Sequence, residues 1–197
     1  MPEPVNPTQA PTPQSPASPS LRRELRAWTR DLLLAIGLAM VIIIFLYQPV
    51  KVEGTSMAPL LSDQERIFIN KFVYRFEPIA RGDVVVFWYP LDRSKSFIKR
   101  VVGLPGETVE IRQGRVYVDG QRLEEPYLPL RFTDTTTYGP VRVPEEEYFV
   151  MGDHRASSND SRVFGPVASE YIYGRAVFAY WPVDHFGSLE STEASTK

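Results

Sequence analysis

The feature that most limits how this chain can fold is an apolar run near its N-terminus, LLLAIGLAMVIIIFLY at Leu32–Tyr47. As a helix the run would be about 24 Å long, close to the roughly 30 Å hydrocarbon core of a bilayer. Trp28 and Tyr47 flank it, as aromatic residues do at a membrane interface, and Gln48-Pro49 would end the helix. We therefore predict one transmembrane anchor, with its basic flank, at residues 22–48.

Two other structures could account for the apolar run. A cleaved signal peptide has a shorter apolar region, of about 7–15 residues, before a site of small residues. Val52-Glu53-Gly54 matches such a site poorly. A core helix of a soluble protein normally carries an amphipathic stripe, which this run lacks. Both alternatives are therefore less favoured than a membrane anchor.

The charges around the run predict its orientation. Lys51 alone follows the run closely, whereas four arginines precede it: Arg22, Arg23, Arg26 and Arg30. Because cytoplasmic flanks are enriched in Lys and Arg, the N-terminus is expected in the cytoplasm and the chain after Tyr47 outside it. The sequence thus predicts a single-pass protein of the cell membrane, with the lipid bilayer as a partner.

The rest of the chain divides by composition. Residues 1–21 hold seven of the 18 prolines and few large apolar side chains, which predicts a disordered cytoplasmic tail. Residues 49–184 predict an all-β, antiparallel, extracytoplasmic domain with an inserted loop at 124–144, and residues 185–197 a flexible C-terminal tail. Turn signals such as Leu104-Pro105-Gly106 separate the predicted strands, which are 66–72, 83–89, 97–102, 108–111, 116–118, 147–151 and 171–181.

Composition also excludes several classes of site. The chain has no cysteine, which rules out disulfide scaffolds, thiolate zinc sites and cysteine nucleophiles. With two histidines, a polyhistidine metal site is not expected either. The net charge of −2 argues against a nucleic-acid partner bound through its phosphates. We therefore expect no metal, no cofactor and no nucleic acid.

Three stretches could carry chemistry. In the first, GTSMAPL at 54–60, Ser56 lies in a tight turn soon after the anchor. Such a serine could be a nucleophile or could simply bond to its own backbone.

The second stretch is a strand at 97–102 in which Lys99 and Arg100 fall on opposite faces. Both faces are otherwise apolar, so we expect one of the two cations to be drawn toward the core. Lysine can lose its proton when desolvated and then act as a general base, whereas arginine keeps its charge. The alternative is that both side chains reach solvent at an edge strand.

The third stretch, Met151–Arg162, is a dense polar loop. Such a loop suits a hydrogen-bonded network that orients catalytic groups, or a solvated loop of Asx turns. His154 lies next to Asp153, but adjacent residues rarely face each other and no Gly-x-Ser-x-Gly motif occurs. A Ser-His-Asp triad is therefore not favoured.

Taken together, these stretches resemble the type I signal peptidases, the membrane-bound Ser/Lys proteases that remove signal peptides. The resemblance covers the anchor and nearly the whole β domain. Its motifs are 54–60, 81–87, 99–107 and, in the polar loop, Gly152–Arg155, Ser158, Asp160–Arg162 and Phe164–Pro166.

The resemblance assigns a role to each matching residue. It implies that Ser56 is the nucleophile, that Lys99 is its general base, and that Ser158 hydrogen-bonds the lysine amine. It implies a supporting salt-bridge network of Asp153, Asp160, Arg162 and Arg100. It also implies pockets for small side chains before the cleaved bond, lined by Val50, Val52, Met57, Leu61, Phe97 and Ile98.

The sequence departs from the family pattern at three positions. Gly54 stands where some members have a serine hydroxyl that helps bind the oxyanion, so the second oxyanion donor is open. Leu60 replaces a threonine, and His154 an asparagine. None of these changes removes a catalytic atom.

The expected function is that of a membrane-bound serine endopeptidase that cleaves N-terminal signal peptides from exported preproteins. A membrane-anchored β domain that binds extended peptides without cleaving them is the alternative. A related Ser/Lys protease acting on another precursor is a third possibility.

Overall fold

The computed structural model describes residues 21–189 and 195–196, so the predicted tail lies outside the described residues except for Leu21. The chain divides into two compact units, Met1–Ile42 and Ile43–Lys197. In the first unit the described residues belong to helix α1, Leu21–Leu46. Residues Glu24–Leu46 are apolar enough and long enough to cross a membrane, and none of them is buried.

Helix α1 begins and ends close to the predicted positions. It starts before the apolar run because LRRELRAWTR is rich in good helix formers. It ends at Leu46, three residues before Pro49, where the chain enters a strand.

The second unit is built from short antiparallel strands, which confirms the predicted all-β class. The strands are β1 (Tyr47–Lys51), β2 (Arg66–Asn70), β3 (Val84–Tyr89), β4 (Asp92–Gly103), β5 (Thr108–Arg112), β6 (Arg115–Val118), β7 (Gln121–Glu124), β8 (Tyr138–Arg142), β9 (Glu147–Met151), β10 (Val167–Ala168), β11 (Ile172–Trp181), β12 (Gly187–Ser188) and β13 (Ser195–Thr196). One short helix, α2 (Ser161–Phe164), lies between β9 and β10.

The strands form two sheets. The first has the order β1-β2-β11-β3-β4-β9-β10, with β12 added to β11. The second has the order β13-β7-β6-β5-β8. Because β1 is an edge strand, one of its sides has no neighbour in the sheet, and Pro49 is tolerated there.

Strand β4 runs through all of the hydrophobic clusters that the described residues form. Ile98 packs against the first cluster, Val101 belongs to another, and Val102 belongs to the cluster beneath the second sheet. A long strand of this kind is held on several sides, which gives its side chains fixed positions. Both of the cations singled out by the sequence lie on it.

The structure moves two predicted boundaries. The segment predicted as an inserted loop at 124–144 contains β8, which pairs with β5, and Tyr138 packs against the second-sheet core. Residues 185–189 of the predicted C-terminal tail pack onto the domain, because β12 pairs with β11 and Leu189 is buried, and residues 190–194 and 197 lie outside the described residues. Gly and Pro residues in these short segments conceal their strand character in the sequence.

Candidate active site

The loop after β1 holds the candidate nucleophile. Its two ends are joined, because the Val52 N–H donates to the Glu65 carbonyl at 2.7 Å and the Gln64 N–H donates to the Val52 carbonyl at 2.9 Å. Met57 and Leu61 are buried in the first core cluster and pin the middle of the loop. Ser56 is therefore presented half-buried from a loop that is fixed on both sides.

Gly54 gives this loop its shape. Its φ of 90° lies in a region that L side chains rarely adopt, and its N–H donates to Asp63 Oδ1 at 2.7 Å. A Cβ at Gly54 would meet no atom within 4 Å, so the space beside it is open. Glycine is required here by the backbone rather than by a close neighbour.

Lys99 meets Ser56 at the start of this loop. Its Nζ lies 2.8 Å from Ser56 Oγ, and it also donates to the Ile98 carbonyl at 2.9 Å. The side chain is only 4% exposed. The prediction that one of the two neighbouring cations is drawn inward therefore understates the result, because Arg100, at 2% exposed, is buried as well.

Burial lowers the pKa of Lys99 to about 8, because a desolvated ammonium is unfavourable. The charges of Asp160 and Asp153 oppose this shift from a distance. Neither carboxylate forms a salt bridge with Lys99, nor does any other described residue. At pH 7 a pKa of about 8 leaves roughly one tenth of Lys99 neutral, with its nitrogen beside a serine hydroxyl.

Arg100, unlike Lys99, is surrounded by groups that stabilise its positive charge. It donates to both oxygens of Asp153, at 2.8 and 2.7 Å, and to the Gly82 carbonyl at 2.9 Å. Its guanidinium lies 4.0 Å from the centre of the Tyr127 ring. Burial alone would lower the pKa of Arg100, but the hydrogen bonds to Asp153 and the negative charge of Asp153 together outweigh burial and raise the pKa.

The polar loop after β9 is tied to the nucleophile loop through the backbone. The His154 N–H donates to the Ser56 carbonyl at 3.0 Å. A Cβ on Gly152 would lie 2.4 Å from that carbonyl oxygen, so a larger residue could not be accommodated there. The buried Asp160 accepts from the Gly152 N–H at 3.1 Å and from Arg162 Nε at 2.9 Å.

Ser158 reaches the site without making the hydrogen bond that the resemblance implies. Its Oγ is buried against Gly152 and, within residues 21–189 and 195–196, has no hydrogen-bond partner. Lys99 donates instead to the Ile98 carbonyl. The orienting role of Ser158 stays a prediction.

Four residues of the network were not predicted as site residues. Both guanidinium NH₂ groups of Arg155 bind the Glu125 carboxylate, and Arg155 Nε donates to the Gly152 carbonyl at 3.1 Å. The Tyr127 hydroxyl donates to Glu125 at 2.7 Å, and Asp134 accepts from Arg162 at 2.7 Å. Glu125, Tyr127 and Asp134 all come from the segment predicted as an inserted loop.

A charge count could have indicated these partners. The polar loop contributes two arginines and Arg100 adds a third, but the loop contains only two acids, Asp153 and Asp160. Buried arginines need paired carboxylates. At least one further acid therefore had to come from elsewhere in the chain.

A cleft of about 200 Å³ lies beside Ser56 and Lys99. Of the residues predicted to bind substrate, it is lined by Val50, Val52, Met57, Phe97 and Ile98. Leu61 does not line it, because this side chain is fully buried in the first core cluster. The cleft runs between β1 and the part of β4 before Arg100, where β9 does not yet pair with β4.

The site therefore combines the Ser56 hydroxyl, the desolvated Lys99 amine and an extended cleft. Among the described strands, β1 on one side of the cleft and the first part of β4 on the other each have an edge without a strand partner. Such an arrangement can activate a serine against the backbone of an extended peptide. Within the part of the chain that the structure describes, His, Asp and Glu form no group of three that could hold a metal ion.

The chain is similar to known proteins over most of its length. The family model described as signal peptidase, peptidase S26, matches residues 25–181. Signal peptidase I of Bacillus amyloliquefaciens is 42% identical over 165 residues, 79% of this chain and 84% of that protein. Signal peptidase I T of Bacillus subtilis is 39% identical over 175 residues, 84% of this chain and 89% of that protein.

A solved structure is also similar to part of the chain. It is the crystal structure of a signal peptidase I from Enterococcus faecalis, with 35% sequence identity and a TM-score of 0.46. The match covers 50% of this chain and 97% of that one.

Proposed function

This chain belongs to the signal peptidase family, peptidase S26, and is a membrane-anchored serine endopeptidase, and we propose that Ser56 and Lys99 are its catalytic dyad. The observation that carries the proposal is the 2.8 Å contact between Ser56 Oγ and a buried Lys99 Nζ. A serine hydroxyl is a weak nucleophile until a neighbouring base takes its proton. Lys99 is placed to be that base.

The first half of the reaction forms an acyl-enzyme. Neutral Lys99 takes the hydroxyl proton as Ser56 Oγ attacks the scissile carbonyl and forms a tetrahedral oxyanion. The carbon–nitrogen bond then breaks, and the Lys99 ammonium returns its proton to the leaving amine. The signal peptide stays bound to Ser56 as an ester, and the mature chain leaves.

The second half releases the signal peptide. Lys99, neutral again, takes a proton from a water molecule that attacks the ester carbonyl. The resulting oxyanion collapses, the bond to Ser56 Oγ breaks, and the serine oxygen regains its proton from Lys99. The peptide leaves with a new carboxyl terminus.

The oxyanion is stabilised first by the Ser56 backbone N–H. The Gly54 N–H is occupied by Asp63, and Gly54 has no hydroxyl. The open space beside Gly54 is large enough for a water molecule as the second donor. A donor aimed at the developing charge typically contributes about 10²–10³ in rate.

The substrates we propose are exported preproteins with a signal peptide. The segment before the cleaved bond would lie extended between β1 and β4, where unpaired backbone groups can add it as a strand. Val52, Met57 and Ile98 leave little space in the cleft. Small side chains are therefore favoured next to the cleaved bond.

We infer the orientation from the four arginines in the N-terminal part of α1, before the apolar run. We propose a cytoplasmic tail at 1–21, an anchor at 22–48 and an extracytoplasmic peptidase unit at 49–184, with which β12 of the C-terminal segment 185–197 also pairs. Protease added outside sealed right-side-out vesicles should then digest the peptidase unit. Digestion only after the vesicles are opened would contradict this orientation.

The dyad is tested with a model preprotein and the full chain in detergent. The parent should release a mature protein with one defined N-terminus, and Ser56→Ala should release none. Thr55→Ala is the matched control, because it removes a hydroxyl from the exposed neighbouring residue. Equal cleavage by the parent and Ser56→Ala would refute Ser56 as the nucleophile.

A further inference from the structure

The cleft can hold the substrate residues before the cleaved bond, but it provides no place for the substrate residues after that bond. The polar loop contacts Ser56 from outside the cleft, through the hydrogen bond from the His154 N–H to the Ser56 carbonyl. Neither His154 nor Gly152 lines the cleft. The loop therefore borders Ser56 beyond the residues that line the cleft.

A short turn of the 124–144 segment packs on that side. It is a 3₁₀ turn, Leu130–Phe132. The Phe132 ring meets the His154 ring edge to face, with the ring centres 5.0 Å apart. The Arg131 guanidinium lies 4.9 Å from the centre of the Phe132 ring, and Leu130 is 88% exposed.

Arg131 has no acidic partner among the described residues of this segment. Glu125 and Asp134 are already bound by Arg155 and Arg162. Within residues 21–189 and 195–196, Arg131 forms no salt bridge, and its side chain is exposed. The turn that contacts His154 thus presents the positive charge of Arg131 next to the apolar side chains of Leu130 and Phe132.

We propose that the Leu130–Phe132 turn and His154 form the subsite for the first residues of the mature chain, and that Arg131 selects an acidic side chain there. His154 links the two places, because its backbone N–H donates to the Ser56 carbonyl and its ring contacts the Phe132 ring. Leu130 and Phe132 supply apolar contact, and Arg131 supplies the charge. The inference rests on the proposed function, since Ser56 defines where the bond is cleaved.

The test compares two preproteins that differ only in the first two residues after the cleaved bond, Glu-Glu in one and Lys-Lys in the other. With the full-length parent, kcat/KM for the Glu-Glu substrate should exceed that for the Lys-Lys substrate about 2- to 5-fold, as expected for an exposed ion pair. Arg131→Glu should invert this ratio. The preference should also shrink as salt is raised.

The matched control is Arg75→Glu. Arg75 is also an exposed residue of a 3₁₀ turn, with its guanidinium 4.8 Å from the centre of a phenylalanine ring. This variant should keep the parental ratio. A ratio of two substrates on one enzyme is insensitive to partial loss of folded protein, so a poorly folding variant would not imitate the result.

The outcomes separate this inference from the proposed function. An unchanged ratio in Arg131→Glu, with Ser56→Ala inactive, would overturn the subsite and leave the dyad standing. Cleavage at the parental rate by Ser56→Ala would overturn the dyad instead. Inversion of the ratio by Arg75→Glu would also refute the subsite, because it would show that the preference comes from overall charge.

Discussion

Lys99 and Arg100 are neighbours on β4, and both are buried, yet the protein treats their charges in opposite ways. Arg100 receives a two-point ion pair from Asp153, a backbone carbonyl and an aromatic face. Lys99 receives a hydroxyl, one carbonyl and a more distant aromatic ring, that of Phe97 at 5.2 Å, and within the described residues it forms no salt bridge. The surroundings of Arg100 therefore stabilise its charge, whereas burial of Lys99 disfavours the charged form of its amine.

The difference shows how one strand can carry both structure and chemistry. Arginine stays charged in almost any surroundings, so it suits the fixed network that holds the polar loop. Lysine loses its proton when desolvated, so it suits a base. The predictions below test each side of this division, from the largest expected effect to the smallest.

Replacing Lys99 should cause the largest loss. Lys99→Ala removes the base, and Lys99→Arg supplies a group that does not give up its proton, so both should reduce kcat/KM by about 10⁴-fold or more. Preprotein cleavage measures the effect. Lys95→Ala, an exposed lysine on the same strand, should retain parental activity, and substantial activity in Lys99→Arg would refute the base.

Removing the charged partner of Arg100 should reduce the stability of the folded protein. Asp153→Asn leaves a buried guanidinium with an incomplete partner and should lower the free energy of unfolding by about 3–5 kcal/mol. Urea unfolding of the full chain in detergent, followed by tryptophan fluorescence, measures it. Asp92→Asn, which breaks the exposed Asp92–Lys95 pair, should leave the unfolding midpoint unchanged. Equal effects of Asp153→Asn and Asp92→Asn on the unfolding midpoint would contradict the claim that the buried Arg100–Asp153 pair stabilises the fold.

A smaller loss of stability is expected from Glu125→Gln. Glu125 binds Arg155, which in turn holds the Gly152 carbonyl, so its charge supports the polar loop from the neighbouring segment. The change should cost about 1–3 kcal/mol of unfolding free energy, measured in the same way. Glu124→Gln, at the adjacent residue, should have little effect on the unfolding free energy. A larger loss in Glu124→Gln than in Glu125→Gln would show that Glu125 does not support the network of buried arginines.

The smallest effect concerns Asp160, whose charge raises the pKa of Lys99 against the effect of burial. Asp160→Asn removes that negative charge, so the pKa of Lys99 should fall and the rise of kcat/KM with pH should move to lower pH. The pH at half-maximal kcat/KM measures this shift independently of how much enzyme is folded. A shift to higher pH would contradict the electrostatic account.

Part of this arrangement could be predicted from the sequence. The apolar run identified α1, and alternation placed Lys99 and Arg100 on opposite faces of a strand, because these are local patterns with a fixed period. The polar loop was found because polar and charged residue types cluster there, whereas the role of Ser56 was assigned from the resemblance to the type I signal peptidases. The direction of the Lys99 pKa shift follows from burial on an apolar face alone.

The rest depends on contacts between distant segments. Nothing local indicates that Glu125 reaches Arg155 or that Asp134 reaches Arg162, since these partners are 30 and 28 residues apart. Alternation also did not reveal that both cations of β4 are buried, because that depends on strands packed on each side. Leu61 could not be placed in the core rather than the cleft without knowing how its loop folds back.

The central claim is that Lys99 is a neutral general base, and the pH dependence of kcat/KM tests it most directly. Only neutral Lys99 can accept the serine proton, and burial lowers its pKa to about 8. For the full-length parent with one preprotein, kcat/KM should rise about tenfold per pH unit in the acidic range and level off above about pH 8. A rise that continues to the ordinary lysine pKa of about 10.4, or a profile with no such ionisation, would contradict the account.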